Sequence, residues 1–207
     1  MVRRGPRGDL GCSRIVAAAE ALVSETGDAA IVSLRALAER LGVTPNAIYT
    51  YYASVGAVLH DVADERLGAL RPGTLLREAC AHCALVELFA RATTLYAQPG
   101  MVSLLKRGPV MGPHSFRLSE TVMALCAGAT TSPRDAHDLI MGWFYGSASL
   151  AAEGWTEATD ALRVDDDLAA EFPLVATRAT ANPRAQFDAI LAGLGLAHVG
   201  SAGHAVA

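Results

Sequence analysis

The chain has 207 residues, a formal net charge of −4, 52% apolar and only 6% aromatic side chains, which excludes a disordered polyelectrolyte and a protein that coats nucleic acid along its whole surface. Four cysteines, Cys12, Cys80, Cys83 and Cys126, are too few for a disulfide scaffold and are expected to be reduced. The most apolar windows are broken by Arg77, Glu78, Glu87 and Arg91 or end at Glu153, and no apolar core follows the charged start MVRRGPRGDLG, so neither a membrane span nor a signal peptide is expected and the expected location is cytoplasmic.

Helical periodicity runs through most of the sequence, and no alternating run is bounded by hairpin turn pairs, so the fold class is all-α. Residues 1–12 form a basic arm bearing Arg3, Arg4 and Arg7. Residues 13–26 place Ile15, Val16, Ala19, Leu22 and Val23 on one helical face, with Ser13 as the expected cap and Gly27 as the stop. Ser33 caps a second, shorter helix whose stripe is Leu34, Leu37, Ala38 and Leu41 and which Gly42 ends. The Thr44–Pro45 step starts a third helix, predicted to reach Tyr52: the threonine hydroxyl can accept an orphan amide, and proline loses nothing at the first helical position. Two short helices joined by Gly42, Val43 and Thr44 have the sequence form of a helix-turn-helix.

Ser54 caps a fourth helix with the stripe Leu59, Val62, Ala63, Leu67 and Leu70, ending at Arg71–Pro72–Gly73. Beyond it the spacing predicts a long helix over 74–97, a short one over 99–107, a loop GPVMGPH, and helices over 114–128, 133–153 (Ser132 cap, Pro133), 166–179 and 183–195 (Asn182 cap, Pro183). A domain boundary is expected near residue 71.

In a helix-turn-helix the second helix of the motif enters the major groove, so its outer face must be polar or present ring edges while its inner face holds it on the other helices. Ile48 and Tyr52, four apart, suit the inner face, and Pro45, Asn46, Tyr49 and Thr50 the outer one. The arm arginines, Ser33 and Arg35 are the residue types that phosphates favour.

Residues 14–70 resemble the DNA-binding domain of the TetR family of bacterial transcriptional repressors, through IVAAAEALVSETG, SLRALAERLGVTPNAIYTYYAS and VLHDVADERL, with Leu37, Ala38, Leu41, Gly42, Val43, Ile48, Tyr49 and Tyr52 at the family's characteristic places. The remainder matches only as helical and of suitable length. The resemblance implies Ser33 as a phosphate contact and Arg35 as a guanine reader. It places Thr44 beside the phosphate backbone, Pro45, Asn46 and Ala47 against base edges, Tyr49 against sugar, base and phosphate, and Thr50 and Tyr51 on the backbone. Members of that family usually carry a lysine just after the aromatic run; here Val55 stands in its place, followed by Gly56.

The implied organisation is a helix-turn-helix domain over 13–55, a connecting helix over 56–71, a larger helical ligand-binding and dimerisation domain over 72–198 and a flexible tail over 199–207. Cys80 and Cys83 of CAHC share a helical face, but no second Cys or His pair follows at zinc spacing, so small buried thiols and no metal or other cofactor are expected. Small residues in the 133–153 helix, with the last helix, suggest a homodimer seam of Gly142, Gly146, Ser149, Ala152, Phe187, Ile190, Leu191 and Leu194. The candidate lining of an effector pocket is His82, Phe89, Tyr96, Met101, Met111, His114, Phe116, Met123, Trp143, Phe144 and Trp155. No phosphate loop, nucleophile elbow or metal-ligand pair suggests an enzyme. The function expected is a repressor that binds a palindromic DNA operator as a homodimer and is released by a small apolar or amphipathic molecule; the alternative is a DNA-binding regulator without an effector.

Overall fold

A computed structural model describes residues 10–155, 166–177 and 180–198. Among them the regular elements are helices: α1 (Cys12–Thr26), α2 (Leu34–Leu41), α3 (Pro45–Tyr49), α4 (Val55–Gly68), α5 (Ala81–Tyr96), α6 (Met101–Leu105), α7 (Pro113–Leu125), α8 (Pro133–Ala152), α9 (Asp166–Glu171), α10 (Pro173–Ala176) and α11 (Pro183–Gly193), with 3-10 turns at Ala29–Ile31 and Pro72–Arg77. No helix among the described residues is long and apolar enough to cross a membrane.

Most of the expected start and stop signals operate. The side chains of Ser33, Ser54, Ser132 and Asn182 accept amides of their own first turns, and Gly27 and Gly42 end α1 and α2 in the left-handed conformation. Several expectations fail for local reasons. Gly11, in an extended conformation, is the N-cap of α1, which starts one residue before Ser13. Thr44 makes no side-chain cap bond, so Pro45 alone marks the start of α3, and α3 closes at Tyr49 because the amides of Tyr51 and Tyr52 both turn back to the Ile48 carbonyl. The long helix begins at Ala81 rather than at 74: Arg71 takes a positive φ of 46°, and Leu75, buried, holds the following residues in a 3-10 turn. Pro173 has no amide to continue α9, so the segment predicted as one helix over 166–179 divides into α9 and α10.

The described residues group into two compact units, the first formed by the chain up to Arg77 with Glu87–Val122, the second by Glu78–Val86 with the chain from Met123. The first unit carries a core in which Ile15, Ala19 and Val23 of α1, Leu37 and Ala38 of α2, Ile48 of α3 and Val58, Leu59 and Val62 of α4 interlock. In the second, Trp143 of α8 stacks on Phe187 of α11 with ring centroids 5.4 Å apart. The second unit also ties its last helix to the loop before α8, through the Thr130 amide and the Leu194 carbonyl at 2.9 Å.

Two charges on α4 are drawn into the first core, Asp64 at 5% exposure and Arg66 at 7%. Arg66 grips both carboxylate oxygens of Glu20 at 2.8 Å, donates to Ser24 Oγ at 2.9 Å and donates to the Pro99 carbonyl at 2.7 Å. Asp64 accepts the amides of His114 and Ser115 at 3.1 and 2.8 Å, filling the role of a cap for α7 from another helix. Gly112 is required beside it, since a Cβ there would overlap the Asp64 carboxylate.

Partial burial works to raise the Glu20 pKa, but the hydrogen bonds from Arg66 and Ser24 overcome it and hold the carboxyl below its ordinary value. Arg66→Ala leaves the Pro99 carbonyl without its side-chain donor and Glu20 with Ser24 alone, and is expected to cost about 2–3 kcal/mol in chemical denaturation. Because the folded-state value of Glu20 is lowered, its stabilisation is complete above the ordinary carboxylate value of about 4.3 and is lost below it, as pH falls through the lowered folded-state value. Wild type and Glu20→Gln, different in stability at neutral pH, should therefore converge in strong acid.

Candidate nucleic-acid interface

The turn between α2 and α3 is built by a single glycine. Gly42 adopts φ 67°, and the Val43 amide reaches back five residues to the Ala38 carbonyl at 3.0 Å, so the chain turns out of α2 within two residues of its end. Two residues then decide how α3 is rolled. Ile48 is 1% exposed in the core, and Tyr52, half-buried, donates its hydroxyl to Asp61 Oδ2 of α4 at 2.8 Å. Burial, with the Asp61 carboxylate beside it, pushes the Tyr52 phenol far above its ordinary value, so it stays a neutral donor.

With those two side chains inside, the opposite face of α3 is presented to solvent. Tyr49 is 54% and Tyr51 42% exposed, Thr44, Pro45, Asn46 and Thr50 are exposed, and Ala47 is half-buried. Ser33 and Arg35 at the start of α2 are exposed as well, although Ser33 Oγ is already committed to the Ala36 amide at 3.2 Å. The described residues thus include exposed ring edges, hydroxyls, one carboxamide and one guanidinium, residue types able to meet phosphates and base edges. Val55 is half-buried against the core at the first position of α4, and Gly56 beside it is exposed. Arg3, Arg4 and Arg7 lie outside the described residues.

The other predicted residues are distributed differently from expectation. Phe187, Leu191 and Leu194 are buried within their own chain, so they pack the second unit and are withdrawn from the candidate dimer seam. Gly142 and Ala152 are exposed and Gly146, Ser149 and Ile190 half-buried. Among the candidate pocket residues, Met101 is a core residue of the first unit, while Met111, Phe116 and Trp155 stand exposed rather than enclosed. His82, Phe89, Tyr96, Met123, Trp143 and Phe144 are half-buried. His114, exposed, edges a cleft of about 280 Å3 in the first unit, where Asp61, Asp64 and Glu65 stand beside Val16, Tyr52 and Pro113, a mixed lining with three carboxylates rather than the apolar one expected.

The cysteines of CAHC also depart from expectation. They are half-buried rather than buried, and His198, 115 residues beyond Cys83, brings its Nδ1 to 3.6 Å from Cys80 Sγ and 3.4 Å from Cys83 Sγ. The Cys83 amide and thiol, with His198, hold the Cys80 thiol down to about 7. Cys126, buried without such partners, is pushed up to about 11.

No family model matches the chain, and no curated protein does. Solved structures match it over nearly its full length. A possible TetR family transcriptional regulator from Streptomyces coelicolor A3(2) superposes with a TM-score of 0.71 at 16% identity, covering 89% of this chain and 98% of the other. The Streptomyces coelicolor TetR family protein ActR in complex with actinorhodin gives 0.69 at 18%, covering 90% and 97%. BioQ with its double-stranded DNA operator gives 0.61 at 19%, covering 82% and 100%. The architecture is that of TetR-family regulators.

The roll of α3 generates a stability prediction. Tyr52→Phe removes one hydrogen bond to a carboxylate without opening a cavity and should cost about 1–2 kcal/mol by denaturant titration, whereas Tyr49→Phe, which loses only an exposed hydroxyl, should change stability by less than about 0.5 kcal/mol.

Proposed function

We propose that this chain, folded as TetR-family regulators fold, is a homodimeric DNA-binding transcriptional repressor and not an enzyme. The observation that carries the reading is the division of the tyrosines: Tyr52 is turned inward onto Asp61, which leaves Tyr49 and Tyr51 facing out beside Asn46 and Thr50. Residues 13–55 are the reading head, with Asn46 suited to adenine, Ala47 to a thymine methyl and Arg35 to guanine. Ser33, Thr44, Tyr49, Thr50, Tyr51 and the arm arginines meet sugar and phosphate. One such head covers too few base pairs for specificity, which favours a two-fold dimer on a palindromic site. Exposed Leu139, Tyr145 and Leu150 along α8, with the small Gly142 and Gly146 between them, support that helix as the dimer contact.

The effector is proposed to be a small apolar or amphipathic molecule bound within residues 72–198, by analogy with the actinorhodin complex. The first unit supplies a transmission route. α4 follows α3 directly and is joined to the start of α7 through Asp64 and to the Pro99 carbonyl through Arg66, so displacement of the segment around α6 and α7 must move α4 or break buried charged contacts. Release of DNA requires the effector to bind the displaced state more tightly than the DNA-bound state.

Tyr49→Ala should abolish shift of an operator fragment in gel electrophoresis while leaving the oligomeric state by light scattering unchanged; undiminished affinity would remove α3 from the interface. At the position where relatives carry lysine, Val55→Lys should add one phosphate contact, steepening the slope of log K against log salt by about 0.9. A slope that does not change would place the start of α4 away from the backbone.

A further inference from the structure

Two separate folding devices converge on one point of the second unit. At one end, Cys80 occupies the cap position of α5: its Sγ lies 3.4 Å from the Cys83 amide, and its carbonyl accepts the Ala84 amide at 3.0 Å, so both sulfurs belong to the first turn of one helix. At the other end, α11 closes in a Schellman turn, with Gly195 at φ 74° and the Leu196 amide bonded to the Leu191 carbonyl at 2.8 Å. Leu196 is buried and the Leu194 carbonyl is fastened to the Thr130 amide, so the chain just before His198 is held in place.

The result is two thiol sulfurs and one imidazole nitrogen, all within 4.8 Å of one another. A tetrahedral zinc with bonds of about 2.3 Å to sulfur and about 2.05 Å to nitrogen separates sulfur from nitrogen by about 3.5 Å. The two separations here are 3.6 and 3.4 Å. Hydrogen bonding accounts less well for the same geometry. A single Nδ1 offers one lone pair or one proton, enough for one strong bond, yet it stands nearly equidistant from two sulfurs. A cation at the centre satisfies all three atoms at once.

We propose that Cys80, Cys83 and His198 bind a thiophilic d-block cation, zinc first, with a fourth position open to water or an exchangeable ligand. The donor set is soft, with no carboxylate among the three, which selects zinc or cuprous copper over magnesium or calcium. His82 is not a fourth ligand, since its Nε2 is directed to Asp188 Oδ1 at 3.5 Å; its ring lies 5.6 Å from that of His198. Metal occupancy would fasten the start of α5 to the segment that follows α11. The site is independent of the DNA-binding reading and stands or falls without an operator.

The test is titration of the reduced full-length chain with cobalt(II), followed by competition with zinc. One equivalent should bind, with a thiolate-to-cobalt charge-transfer band in the near ultraviolet and the intense visible bands of four-coordination, and zinc should remove both. Cys83→Ser should lose the charge-transfer intensity. His198→Ala, at an exposed residue beyond α11, should keep a weaker thiolate band with affinity reduced roughly tenfold or more. Cys126→Ser, which removes a thiol outside the cluster, should bind as wild type. Absence of a stoichiometric band at micromolar cobalt would overturn the proposal, as would equal affinity of His198→Ala and wild type. Reduced protein that takes up no metal but readily forms a Cys80–Cys83 disulfide would overturn it in favour of a dithiol redox pair.

Discussion

The first unit is organised around the two buried charges of α4. Apolar burial alone would let α4 slide or roll on α1, because the transfer of hydrocarbon from water has no direction. The Arg66 guanidinium removes that freedom: its planar fork accepts one arrangement of the Glu20 carboxylate, and two further donors go to Ser24 Oγ and the Pro99 carbonyl. Asp64, on the same helix, fixes the start of α7 through two amides. Both are costly to break singly, since a broken bond strands the buried Arg66 guanidinium or the buried Asp64 carboxylate without its partner. The register of α4 is therefore set from both sides, and the position of α3 follows from it through the Tyr52–Asp61 bond.

That dependence gives the proposed reading head its form. α3 is only five residues long and could not be stable alone. It is held by Ile48 in the core, by the left-handed Gly42 before it and by the Tyr52 hydroxyl after it, and what those three constraints leave outside is the strip from Thr44 to Tyr51. A surface specified by what is withdrawn from it has few alternative shapes, which suits the duplex contact proposed for it. The same helix that receives Tyr52 also receives the contacts from α7 and Pro99, so the elements that position the head and the elements proposed to respond to an effector share one mechanical part.

Local signals carried the helix-turn-helix and most helix boundaries. Ser33, Ser54, Ser132 and Asn182 act within three residues of themselves, and Gly42 acts on the residue it occupies, so their meaning survives without knowledge of the rest of the fold. Where a signal competed with something distant, the local reading failed. Residues 74–80 have helical spacing but follow Arg71–Pro72–Gly73 and are held in a tighter turn by Leu75, and Pro173 splits a weak helical pattern that periodicity ran together. Phe187, Leu191 and Leu194 have the spacing of an interface and of a core alike; burial against their own chain decides for the core, and no periodicity distinguishes the two.

By itself, then, the sequence determined the all-α class, the helix-turn-helix over Ser33–Tyr52 and the inward and outward tyrosines, because these rest on spacings of one to four residues that the helix geometry converts directly into direction. Only the tertiary structure decided the partners of Asp64 and Arg66, which in sequence are two more charges on a helix, and the meeting of His198 with Cys80 and Cys83. Glu20 and Arg66 lie 46 residues apart, and Cys83 and His198 lie 115 apart. No local period reaches that far, and contacts of that kind exist only once the helices between them have packed.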